Sequence, residues 1–138
     1  MDVFKNASHR LMLILWLVAL HSAGVGMGLI LHPDWLMRST GYLPLNEPFF
    51  IVQGGVFHML MAIAYAMAAW DLHLHRSLTL FSIIVKSAAA LFLVLYWLLA
   101  ARIGVVLFSG IVDGLMALVI AIAYVSWKRE REVEGFNG

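Results

Sequence analysis

SLTLFSIIVKSAAALFLVLYWLLAARIGVVLFSGIVDGLMALVIAIAYVSW, from Ser77 to Trp127, is the stretch that decides the fold. Its charged residues are Lys86, Arg102 and Asp113. Arg102, Ile103 and Gly104 divide it into two apolar runs, about 77–101 and 103–127. An α-helix needs about 20 apolar residues, at 1.5 Å each, to cross a ~30 Å hydrocarbon layer. Transmembrane strands are about half as long and alternate apolar with polar residues, which these runs do not. The pair therefore reads as a transmembrane helical hairpin, its tight turn assigned to Gly104.

Working outward, two more runs of the same kind appear at about 10–31 and 49–70. The chain of 138 residues is 63% hydrophobic and 12% charged, with a mean hydropathy of +0.92. Soluble domains are nearer half apolar and about a quarter charged, so the solvent implied here is lipid. A net charge of +1 gives no electrostatic case for nucleic acid. Without cysteine there is no disulfide framework, thiolate nucleophile or Cys-ligated metal. The fold expected is an all-α, four-helix transmembrane bundle forming a single integral-membrane domain over 1–138. The first run continues past Ser22, Ala23 and Gly24, so it reads as a retained membrane helix rather than a cleaved leader.

The links between the runs carry the remaining local signals. Asp71-Leu-His-Leu-His-Arg76 is brief and makes the second and third spans antiparallel neighbours. The first loop is long: Pro33 suits the first turn of a short interfacial helix carrying Trp35, Leu36 and Met37, and Gly41 suits its stop. Pro44 and Pro48 bracket an irregular piece, with Asn46 the expected cap of the second span. The tail Lys128–Glu134 continues the last helix as a mixed-charge, solvated end. Lys5, Arg10, Arg76, Lys128, Arg129 and Arg131 fall on one side and Arg38 and Arg102 on the other. The positive-inside rule then puts both termini in the cytoplasm, with Trp70 and Trp127 at the inner interface and Trp35 and Trp97 at the outer.

Few polar residues lie away from the ends of the spans, and each span supplies one that ionises: His21, His58, Lys86 and Asp113. From a 1.5 Å rise their depths are ~17, ~18, ~14 and ~21 Å from the cytoplasmic end, all near the midplane. An ionisable group at that depth costs several kcal/mol unless paired, neutralised or hydrated. Lys86 and Asp113, on adjacent helices of the hairpin, are expected to form an ion pair facing the interior. Gly24 and Gly28 after His21, Gly54 before His58, Ala89 and Ala90 after Lys86, and Gly110 and Ala117 around Asp113 allow close helix packing. Ala62, Tyr65, Ala66 and Ala69 continue the His58 face.

Three chemistries fit this polar layer. The first is a non-enzymatic site for a small apolar or quinone-like ligand, with His58, Lys86 and Asp113 polarising it and His21 completing the wall. Instead of binding a ligand, such a non-enzymatic protein could serve as an accessory subunit docking on a larger membrane complex, and a homo-oligomer or larger membrane complex is expected. The second is electron transfer by a haem b held between His21 and His58, with glycines leaving room for the porphyrin. The third is proton-coupled transport through Lys86 and Asp113, for which four helices without repeats would have to oligomerise. Asp71, His73 and His75 follow no zinc spacing and read as a solvated loop, and the methionines are scattered as packing residues. Ser22, Ser82, Ser87 and Ser109 read as hydroxyls bonded back to their own helix carbonyls, since no nucleophile motif surrounds them.

The layout resembles the DoxX-like group of small bacterial four-helix membrane proteins, over about Gly24 to Tyr124. The residues carrying the resemblance are Gly24-Val-Gly-Met-Gly28, Pro33-Asp-Trp-Leu through Gly41, Gly54-Gly-Val-Phe-His58 and Asp113-Gly114. It implies a bacterial inner-membrane location and, for some members, a place in or beside quinone-linked or oxidative-stress systems. His21 and Lys86 are not motif positions of that group.

Overall fold

Long runs of Leu, Ile, Val, Ala and Phe with no interior proline leave the backbone no better way to satisfy its N–H and C=O groups in lipid than helix. The computed structural model describes residues 6–41 and 47–136, with side chains through Val133 in the last helix. It is all-α: α1 Ala7–Leu31, α2 Asp34–Ser39, α3 Phe49–Trp70, α4 Arg76–Leu99 and α5 Gly104–Phe136. Helices α1, α3, α4 and the apolar part of α5 are long and apolar enough to cross a membrane. Helix α2 is the short helix in the first loop, with Trp35 exposed.

Helix α1 packs on α3 and on α5, and α4 packs on α5 and on α3, so consecutive spans are neighbours and the ring closes. The apolar core lies towards one end, where Leu11 and Leu15 of α1 meet Tyr65 and Ala69 of α3 and Ile120 and Trp127 of α5. At that same end the Ala7 N–H donates to the Glu130 carboxylate (2.9 Å), and Arg10 lies 3.5 Å from it. The Arg76 Nε–H donates to the Tyr124 hydroxyl nearby (2.7 Å). The starts of α1 and α4 and the far part of α5 therefore share one rim. In α4 the buried residues are Thr79, Ser82 and Lys86, whereas Phe81, Ile84, Leu91 and Phe92 are exposed. A helix that hides its polar stripe and shows its apolar one is built for lipid, not water.

Several local expectations change. The α4–α5 turn does not use Gly104, which begins α5 without a positive φ. Ala100 and Ala101 both donate to the Tyr96 carbonyl, and Ile103 donates to that of Ala101, so non-glycine residues make the turn. Gly41 does take a positive φ (84°) at the stop after α2. Pro33 sits one residue before α2, its carbonyl accepting from Leu36 and Met37. Helix α3 begins after Pro48, and the Glu47 carboxylate accepts the Phe49 N–H (3.0 Å). The expectations for Lys5, Pro44 and Asn46 lie outside the described residues.

Candidate functional site: a polar layer at mid-membrane

The hairpin positions the central pair. Gly110, one turn before Asp113, has so little space that an added Cβ would lie 3.1 Å from Leu93 and 3.2 Å from Val94. That close approach of α4 and α5 lets the Lys86 stem reach its partner: Nζ donates to Asp113 Oδ1 at 2.5 Å. Their side chains are 3% and 10% exposed, so the charges neutralise one another out of water. In a low-dielectric interior this attraction mainly offsets desolvation, and breaking it leaves an uncompensated buried charge. The ammonium also lies 5.7 Å from the centre of the Tyr65 ring, within cation–π range. Tyr65 is itself buried and comes from α3, two helical turns after His58.

Across the ring, α1 and α3 touch at backbone level. A Cβ on Gly26 would lie 2.9 Å from the Gly55 carbonyl oxygen, and one on Gly55 2.8 Å from that of Gly26. The residues one turn before Gly26 and after Gly55 are then forced together: the Ser22 hydroxyl donates to the His58 carbonyl (3.0 Å) and lies 3.3 Å from His58 Nδ1. Ser22 thus bonds across helices rather than back along its own, while Ser82 does bond back, to the Leu78 carbonyl. The seam glycines are Gly26 and Gly55; Gly24 faces open space and Gly54 makes only ordinary contact.

The structure pairs Lys86 with Asp113 and joins His58 to Ser22, so the four expected residues stand in two different states. Lys86 and Asp113 are sealed, His58 is half-buried, and His21 is exposed. Sequence reasoning put Tyr65 on the His58 face only as a packing residue and read Ser22 as bonded back along its own helix, so neither was expected to contact the ionisable residues. The seven-residue step from His58 to Tyr65 and the four-residue step from Ser22 to Gly26 were the available signals.

A haem between His21 and His58 does not fit this arrangement. A porphyrin would have to separate α1 from α3 where Ser22 and His58 are hydrogen-bonded and Gly26 and Gly55 are in backbone contact. In the α3–α4 link, the Asp71 carboxylate accepts the His73 and Leu74 N–H groups (2.8 and 2.9 Å). The Leu74 and then the His73 N–H hold its carboxyl below the usual aspartate range. Asp71 acts as a turn cap, and His73 stacks edge-on against Trp127. Among the described residues no group of three or more His, Cys, Asp or Glu is placed to hold a metal.

The fold and this layer define a multi-pass, four-helix membrane protein with a buried Lys–Asp ion pair. No family model, curated protein or solved structure matches the chain.

Proposed function

We propose that the polar layer binds a small apolar ligand bearing a hydrogen-bonding head, of which a quinone is the fitting class. The observation that carries this reading is that the layer is sealed on one side and open on the other. Lys86 and Asp113 satisfy each other, whereas His21 is exposed in the middle of an apolar span, where lipid is the expected surroundings. An imidazole there needs a polar partner, and a carbonyl arriving with an apolar body supplies one without bringing water. His21 and His58 would hold the ligand head, and the Lys86–Asp113 pair behind them would polarise it. The chain is taken as a DoxX-like protein of a bacterial inner membrane with both termini cytoplasmic, on the motifs and basic residues described above. It works as a homo-oligomer or as an accessory subunit of a larger membrane complex.

Equilibrium binding of a labelled short-tailed benzoquinone to the protein in nanodiscs tests the site. Saturable uptake above the lipid blank is expected, weakened about tenfold by His21→Leu or His58→Leu, the scale of one lost hydrogen bond. Uptake that stays linear, or that ignores both substitutions, would remove the ligand reading.

A further inference from the structure

At the rim where α4 begins and the apolar part of α5 ends, a 260 Å³ cavity is lined by Arg76, Trp127, Lys128, Arg131 and Glu132. Three cations face one carboxylate, and that carboxylate leans to Lys128 (3.6 Å). Among the described residues neither guanidinium has an acid within ion-pair distance. Both are nevertheless held in place. Arg76 donates through Nε to the Tyr124 hydroxyl and lies 6.0 Å from that ring. Arg131 lies 5.4 Å from the Trp127 ring. The Trp127 side chain is 2% exposed, and its indole N–H has no acceptor among the described residues.

We propose that this cavity binds a phosphate anion, presented by the headgroup of an anionic phospholipid. Guanidinium groups pre-placed on aromatic rings match phosphate oxygens in paired N–H···O geometry, and aromatic contact lowers the ordering cost of the long side chains. Basic cavities at the ends of membrane helices are where acidic headgroups settle. The lipid source follows from position. Trp127 closes the charge-free stretch of α5 that follows Asp113, the level at which tryptophans meet headgroups. One and two turns past Arg76 on the same face of α4, Leu80 and Ile84 are exposed and offer an acyl chain an apolar track.

Native mass spectrometry of the detergent-purified protein, with phosphatidylglycerol, phosphatidylcholine or inorganic phosphate added, reads this directly. Phosphatidylglycerol should be retained at least about tenfold more tightly than phosphatidylcholine. R76Q/R131Q should lower its retention to the phosphatidylcholine level, and E132Q should raise it. R38Q/R102Q, at the opposite rim, should leave it unchanged, which controls for general loss of charge. Equal retention of the two lipids, or indifference to R76Q/R131Q, overturns the proposal. Arginine-dependent binding of inorganic phosphate without phosphatidylglycerol retention supports the anion site and overturns the lipid source.

Discussion

At the scale of single residues, Lys86 and Asp113 dominate because each is tolerable only through the other. Their 2.5 Å contact joins two helices that are otherwise almost free of charge between Ser77 and Trp127. Removing one partner should cost about 3–5 kcal/mol, since the survivor is left charged and buried. Lys86→Ala combined with Asp113→Ala should be less damaging than either alone. Thermal unfolding in detergent of the two single variants and the double variant checks this. Additive damage would mean the two side chains do not support one another. Thr79 presents the opposite case, a buried hydroxyl with no partner among the described residues, on the same polar stripe of α4.

At the scale of elements, the α1–α3 seam is the tightest joint, and it depends on two glycines. A Cβ at Gly55 would lie 2.7 Å from Ile30 Cγ1 and 2.9 Å from its backbone nitrogen. Gly55→Ala should therefore push the helices apart and cost about 1–3 kcal/mol, the usual penalty of overpacking. Gly24→Ala, with nothing within 4 Å of the new methyl, should be neutral or slightly stabilising through helix propensity. Denaturation midpoints of the two variants separate these cases, and equal effects would contradict the seam. The motif Gly24-Val-Gly-Met-Gly28 announced close packing in the sequence, but Gly24 and Gly28, four residues apart, share one face of the helix and Gly26 lies on the opposite one. Only the packing of α3 selects Gly26 as the contact and leaves Gly24 facing open space. The same 100° per residue separates Ser22, which points into the seam, from exposed His21.

At the scale of the whole molecule, four crossings bring the beginning of α1 and the far part of α5 to one rim, tied through Glu130. Tags at the two chain ends should accordingly be accessible from the same side of sealed vesicles. Protease protection of one tag but not the other would contradict the ring of helices. What the sequence alone determined is the solvent and the count: uninterrupted apolar length settles helix against strand and gives four spans. It also isolates the four mid-depth ionisable residues, because charge is scarce enough in lipid for each to stand out. It could not separate them into a sealed pair and an open pair. That distinction depends on the rotation of each helix about its axis, which backbone contact at Gly26–Gly55 and Gly110 fixes. Only the tertiary structure brings Tyr65 over Lys86 and gathers Arg76 and Arg131 around one cavity, since those contacts join residues distant in the chain.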